Sequence, residues 1–384
     1  MSTNVVDILT GFQNLSGKSA PIRFIRQNPR STSTNQKLSN YLIIQSPNYR
    51  IFATMILVTG ATGLVGSHLL LELLQNGEEV RALYRNQENI QNTKALFNWK
   101  NKSDLFEKIN WIEGCITDIP SLEKVFDDID YVYHCAAYIS FDPNDEEKLR
   151  KINIEGTANI VNFCLAKNVK KLCDVSSIAA LGDLQEHEHI ITEETDWNPE
   201  KPHSDYAITK YGAEMEVWRG QEEGLDTVIV NPGVILGPGF WQNGSSEIFR
   251  KIKKGLQFYA KGSSGFISVE DVAKTMYFLM KNEIKKERFT LIERNLSYRE
   301  ISNIIADSFA TKRPTQLIKP WMTNIGWRMD WLISKLFFQK RKLSRAMAKS
   351  MHSETRFDNS KIKKACNIDF TGLDNYIKKV SKTY

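Results

Sequence analysis

The sequence predicts an α/β protein built on a doubly wound parallel sheet, with a smaller, mostly helical substrate-binding portion toward the C-terminus. Three observations carry this. Short apolar runs alternate with amphipathic patterns from Met55 to Asn231, a glycine-rich turn follows the first run, and the alternation then loosens into loops and helices. Parallel strands need long crossovers, and helices of this spacing supply them while covering both faces of a sheet. A hydrophobic content of 41% over 384 residues is that of a folded chain.

The elements follow in order. Residues 1–54 are rich in Ser, Thr, Asn and Gln, carry six bases to one acid, and show no sustained period. Such composition buries too little apolar surface to offset the entropy of ordering, so it reads as a disordered leader with a transit-peptide bias. A clean apolar strand begins at Met55, so Met55 is the expected functional start and residues 1–54 an upstream extension, with a transit peptide as the alternative. Strands are predicted at 55–58, 80–84, 109–113, 131–134, 171–175 and 227–230. Helices are predicted at 64–75, 121–127, 146–168 and 205–223.

Charge excludes one class of partner. The net +6 resolves into +5 over residues 1–54, +12 over 312–384 and −11 between them. An acidic body with basic ends argues against a nucleic-acid partner. No apolar run approaches the roughly 18 residues of a spanning helix, and Met1 opens no secretory signal. Cys115, Cys135, Cys164, Cys173 and Cys366 lack CxxC spacing and read as reduced packing thiols of a cytoplasmic protein. His187 and His189 flank Glu188 without a ligand constellation, so no metal is expected.

The turn Thr59-Gly60-Ala61-Thr62-Gly63-Leu64-Val65-Gly66 lies between the first strand and the first helix. Gly60 permits the sharp turn, Gly63 the approach of a pyrophosphate, and Gly66 close packing of helix on strand. The amides of Thr62, Leu64 and Val65, at the positive end of the helix dipole, complete an anion cradle. This defines a Rossmann-type nucleotide-binding domain over 55–235, with 236–384 left for substrate.

The spacing is GxxGxxG, and with six further motifs in order it resembles the extended short-chain dehydrogenase/reductases, or NAD-dependent epimerase/dehydratases. The carrying residues are the turn, His134-Cys135-Ala136-Ala137, Asn153 with Gly156-Thr157, and Ser176-Ser177. Tyr206-Ala-Ile-Thr-Lys210, Asn231-Pro232-Gly233 and Val269-Glu270-Asp271-Val272-Ala273 complete the set. Within the family the chain is most similar to dihydroflavonol-reductase and 3β-hydroxysteroid-dehydrogenase types. The resemblance implies cofactor contacts at Ile116, Asn153, Pro232, Gly233 and Val234. Ala136 and Ala137 are small enough for a cofactor to lie against the strand end. Where the family usually has an adenine-contacting Asp, this chain has Cys115. His134 reads as a packed residue and Asp271 as a helix-start residue.

An acid closing the second strand would bind the ribose of NAD and repel a 2′-phosphate. Tyr84 stands there instead, with Arg81 and Arg85 nearby as guanidiniums for a phosphate. NADP(H) is therefore the favoured cofactor and NAD(H) the alternative.

Tyr206 and Lys210 are four apart on a predicted helix, hence on one face. A free tyrosine titrates near 10, and a neighbouring ammonium favours its phenolate. The resemblance assigns Ser177 to the substrate oxygen, Tyr206 to proton transfer and Lys210 to the ribose and the tyrosine. Tyr138 and Phe141 after the fourth strand, and Trp241 after the sixth, are the expected apolar substrate contacts.

Residues 321–338 form two apolar stripes with aromatics ahead of Lys340-Arg341-Lys342. A helix packed over the cleft is the ordinary reading. Peripheral membrane contact through 321–345 is the sharper one, and a homodimer is also open. The functional expectation is an oxidoreductase that moves a hydride between nicotinamide and a secondary alcohol or carbonyl on a small, mostly apolar substrate. A nucleotide-sugar epimerase or dehydratase holding NAD, and a non-catalytic sensor or assembly protein, are the alternatives.

Overall fold

The computed structural model describes residues 54–241, 246–337, 341 and 343–384. The leader expectation thus falls, but for residue 54, outside the described residues. The first six strands are β1 (Met55–Thr59), β2 (Glu79–Tyr84), β3 (Asn110–Glu113), β4 (Tyr131–His134), β5 (Lys171–Val175) and β6 (Thr227–Pro232). Each lies within two residues of its predicted span. Beyond them come β7 (Val234–Leu236), β8 (Phe258–Tyr259), β9 (Ser263–Ser268), β10 (Glu287–Leu291), β11 (Arg294–Ser297) and β12 (Gln316–Leu317).

The central sheet runs β10-β6-β5-β4-β1-β2-β3, every pair parallel. It is a Rossmann-type sheet whose strand order reverses between β1 and β4, which opens a crevice at their C-terminal ends. The edge strand β10 comes from the part of the chain expected to serve substrate only, so the sheet does not end at residue 235. Its alternation, Phe289 and Leu291 buried on one face, lay in a stretch that reads as loops and helices.

Strand alternation sorts the core. Ile56, Val58, Tyr133, Cys173, Val228 and Val230 join one cluster, while Leu57, Val132, Leu172 and Ile229 join the other. Successive side chains point to opposite faces, and each face is covered by its own helices. Helices Leu64–Gln75 and Val269–Lys281 pack together on the first face. Helices Gly156–Ala166 and Asp205–Glu222 pack on the second. Lys171, buried on β5, donates to Leu279 O (2.7 Å) and Asn282 O (2.8 Å), placing a cation at the end of helix Val269–Lys281.

The predicted helix over 146–168 is not one regular helix. It begins at Glu146–Leu149, passes through a π-helical segment at Arg150–Glu155, and resumes at Gly156–Ala166. The wider turn places Asn153 toward the crevice; such π segments recur at functional sites.

β7, β9 and β11 form a second, small sheet, and a third hydrophobic cluster surrounds Leu236, Phe249, Phe266 and Tyr376. Helix Pro320–Phe337 buries only Thr323. The packing expected of this helix is not made on its apolar surface: eight of its large apolar side chains are exposed.

His68 in helix Leu64–Gln75 is buried, its Nδ1 2.9 Å from Leu64 O. Burial lowers its pKa from 6.5 to about 4. The unfolded chain therefore takes up this proton below about pH 6.5, while the folded chain takes it up only near pH 4. Stability falls as pH drops through that window, by up to about 1.4 kcal/mol per unit. In His68→Leu, urea unfolding between pH 6 and 4.5 should show a dependence shallower by about that amount; an unchanged slope would refute it.

Candidate active site

The glycine turn is shaped by backbone crowding. Gly60 has φ +64°, and a Cβ there would lie 2.6 Å from Ala136 N. A Cβ on Gly66 would overlap the Gly60 carbonyl. Only glycine fits either position. Gly63 caps helix Leu64–Gln75 and is exposed, and its N–H donates to Gly60 O (3.0 Å). Thr62, Leu64 and Val65 are partly exposed beside it. The first-turn amides have no carbonyl four residues back, so they face outward as donors at the positive helix end. Among the described residues, this turn has the form of a diphosphate cradle.

Continuing the β1–β2 register places Tyr84 beside Gly60, so Arg85 follows at the same edge. Arg85 is exposed, with no hydrogen bond or ion pair among the described residues. Arg81 is different. It donates to Val125 O (2.9 Å) and Asp127 O (2.6 Å) at the end of helix Ile119–Val125. That helix returns antiparallel to the strands, so Arg81 is held at the opposite edge of the sheet, away from the turn. The pairing of Arg81 with Arg85 is corrected to Arg85 alone.

Other expected cofactor residues divide similarly. Ala137 is exposed and Ala136 half-buried beyond β4, leaving a low wall. The Ile116 side chain is buried against Gly156, and its carbonyl accepts from Asn159 Nδ2 (2.9 Å). Pro232 is buried at the end of β6. Gly233 is packed so closely on Gly265 that a Cβ would collide, and Val234 pairs with Phe266 in the small sheet. Asn153 is buried and committed to protein: its Oδ1 accepts from Tyr138 N (2.7 Å), and its Nδ2 donates to Tyr138 O (3.0 Å) and Thr209 Oγ1 (3.1 Å). It clamps the loop after β4 to the Tyr206 helix, a holding role that spacing did not reveal.

Helix Asp205–Glu222 starts at Ser204, whose hydroxyl accepts from Ala207 N. Tyr206 in its first turn is half-buried, and Lys210 one turn later is 3% exposed. Lys210 Nζ donates to Val175 O (2.8 Å) at the end of β5. Ser177, two residues further, accepts from Ala179 N (3.1 Å), which leaves its hydroxyl proton free to be donated. Asn231 Nδ2 donates to Ser177 O (3.0 Å) and to Glu214, tying β6 to both the serine and the Tyr206 helix.

Behind these residues lies a buried ionic group that sequence reading missed. Glu214 pairs with Arg288 on β10 (3.2 Å), and Arg288 Nε donates to Glu193 O (2.8 Å). Burial pushes the Glu214 carboxyl up, against the pull of Ser176, Arg288 and Asn231. Asp174 is fully buried, and burial raises it too while the Lys210 charge pulls it down. Two signals were visible: an acid inside the apolar run of β5, and a glutamate one helical turn after Lys210.

His134 is packed and neutral, lowered to about 3 by burial and secondarily by Lys210. Thr157 Oγ1 gives its proton to Asn153 O (2.6 Å), so it accepts from His134 Nε2 (3.1 Å); Nδ1 then accepts from Thr59 (2.7 Å). The ring bridges β1, β4 and the start of helix Gly156–Ala166.

Of the aromatic substrate positions, Phe141 stands against Tyr206, ring centroids 5.8 Å apart, and is 45% exposed. Exposed Ile139 joins it from the same loop. Tyr138 turns toward that loop's interior, its hydroxyl donating to Asp145 (2.9 Å) under the Lys148 ammonium. Trp241 is corrected: it packs edge-on against Phe249 and Tyr384 in the C-terminal cluster. His187 and His189 are exposed.

The NAD dependent epimerase/dehydratase family matches residues 56–291. The chain belongs to that family. Anthocyanidin reductase of Arabidopsis thaliana is 30% identical over 274 residues, 66% of this chain and 79% of the relative. Sterol demethylase protein B of Methylococcus capsulatus is 28% identical over 293 residues, 74% of this chain and 84% of the relative. Yeast methylglyoxal/isovaleraldehyde reductase Gre2, solved with NADPH, superposes with a TM-score of 0.65 at 21% identity, covering 86% of this chain and 98% of its own. Membership makes this a nicotinamide-cofactor protein of the oxidoreductase/epimerase class acting on small molecules.

Two substitutions test this construction. Gly66→Ala should lower affinity for nicotinamide cofactor by more than about tenfold, measured by fluorescence titration, because the turn must move to admit the methyl. Glu214→Ala leaves Arg288 without its buried partner and should cost about 3 kcal/mol in denaturant unfolding. A loss under about 1 kcal/mol would show that the pair is not held in a dry interior.

Proposed function

We propose that the chain is an oxidoreductase that moves a hydride between NADP(H) and a secondary alcohol or carbonyl of a mostly apolar substrate. The observation that carries it is Lys210, buried one helical turn from Tyr206 and anchored on Val175 just ahead of Ser177. A bound nicotinamide supplies or receives the hydride. Ser177 offers its hydroxyl proton to the substrate oxygen. Tyr206 gives a proton to that oxygen in reduction and takes one in oxidation, and Lys210, one turn along the same helix face, holds the cofactor ribose. Gly60, Gly63 and Gly66 shape the turn, whose outward amides take the diphosphate.

The substrate side of the crevice supports an apolar ligand. Phe141 stands exposed against Tyr206 with Ile139 exposed on the same loop, and no arginine or lysine of that loop offers itself to a diphosphate-linked sugar. The reductase and sterol-related names of the relatives agree with this. For the cofactor, the exposed Arg85 beside the turn, with no acid at the end of β2, favours a 2′-phosphate.

Tyr206→Phe should remove nearly all turnover in a carbonyl substrate screen read at the nicotinamide absorbance, with cofactor affinity close to normal. Lys210→Ala should impair both. Substantial turnover in Tyr206→Phe would refute the mechanism.

Arg85→Ala should shrink the preference for NADP over NAD by about tenfold, the worth of one charge-assisted contact. Arg81→Ala should leave that preference unchanged and lower the melting temperature instead. Equal effects of the two substitutions would contradict the placement of Arg81.

A further inference from the structure

Helix Pro320–Phe337 is held to the body by one side. Thr323, its one buried residue, donates to Pro320 O (2.9 Å) and meets His352 Nε2 at 3.0 Å. Trp321, Ile325, Met329, Leu332 and Leu336 follow at steps of four, four, three and four, forming one stripe about 160° around the helix from Thr323. These five, with Trp331, Ile333 and Phe337, are each 43–66% exposed. Eight large apolar side chains on one helix are far more than the scattered exposure normal for a protein surface.

The charges sort by direction. Residues 312–353 contain ten bases and one acid. That acid, Asp330, turns inward, accepting from Leu343 N (3.2 Å) and lying 3.8 Å from Arg341 Nε. Arg328 and Lys335 flank the outward stripe, and Lys319, Arg345 and Lys349 are exposed nearby. Within this segment the exposed charge flanking the stripe is therefore positive.

We propose that this face docks on an anionic lipid headgroup layer, with the stripe entering the interface and the cations above it meeting lipid phosphates and carboxylates. Two features decide against a second copy of the chain as occupant. A two-helix seam needs a narrow stripe, whereas Trp331, Ile333 and Phe337 widen this one over more than half the helix circumference. Two such faces would also bring Arg328 and Lys335 against their own kind, while an anionic surface complements them. Among the described residues no helix is long and apolar enough to cross a membrane, so this one lies on the surface.

The docking face connects to the crevice. Arg341 N donates to Asp142 Oδ2 (3.1 Å), and Asp142 follows Phe141, the ring against Tyr206. A docked molecule thus ties its substrate loop to the body side of the lipid-bound helix, a helix's width from where an apolar substrate dissolves. That last step rests on the proposed function; the docking does not.

The test is co-sedimentation of the full chain with vesicles of phosphatidylcholine alone or mixed with phosphatidylserine. Binding to the mixed vesicles, weakened by raising salt beyond about 0.5 M, is expected. Ile325→Glu with Leu332→Glu should reduce it by about tenfold or more while leaving the melting temperature unchanged, since both residues are exposed. Arg328→Glu with Lys335→Glu should abolish the preference for anionic vesicles. Failure to bind either vesicle, or equal binding by the Ile325→Glu/Leu332→Glu protein, overturns the proposal. So does a dimer in solution that the Ile325→Glu/Leu332→Glu pair dissolves, which would make a second copy the occupant. Because none of these readings involves turnover, they stand apart from the catalytic tests.

Discussion

The Lys210 ammonium is buried at the C-terminal edge of the sheet and anchored on the carbonyl of Val175. A cation taken out of water must be met by fixed dipoles or opposite charge, or the site does not hold. The carbonyl end of β5 provides the dipole and Asp174 the opposing carboxyl, while neutral His134 adds no second charge. Tyr206 is placed by the same helix, so holding the lysine also aims the tyrosine. The Glu214–Arg288 pair and Asn231 then fasten that helix to β6 and β10.

The crevice itself is a consequence of topology. Strand order reverses between β1 and β4, so connections leave in opposite directions and a gap opens above both strand ends. The glycine turn closes one side, pressed so near Cys135 and Ala136 that side chains are excluded. Asn153, brought inward by the π segment, holds the other side by gripping both polar backbone atoms of Tyr138. The loop beyond is thereby braced on the Tyr206 helix, which puts Phe141 on Tyr206.

The C-terminal part completes the body. It supplies β10 to the central sheet, Arg288 to the buried pair, and a separate cluster that absorbs Trp241. Helix Pro320–Phe337 then has only one side left to bury, and its apolar stripe is on the other. Folding alone does not account for that stripe.

The sequence by itself determined six of the seven central strands, the helices Leu64–Gln75 and Asp205–Glu222, the glycine turn and the Tyr206–Lys210 pair. These depend on periods of 2 and 3.6 and on steric rules that act within a few residues. The tertiary structure alone decided what lies opposite. Arg81 and Arg85 look equivalent four residues apart, yet one is held by helix carbonyls at the far edge and the other is exposed beside the turn. Trp241 and Phe141 look like equal partners for a substrate, but only Phe141 meets Tyr206. Asp174, Glu214 and Arg288 come from three distant segments, and their meeting has no local signature. Periodicity reports which face of an element is apolar; only the packing of elements distant in sequence decides whether protein, cofactor or lipid covers it.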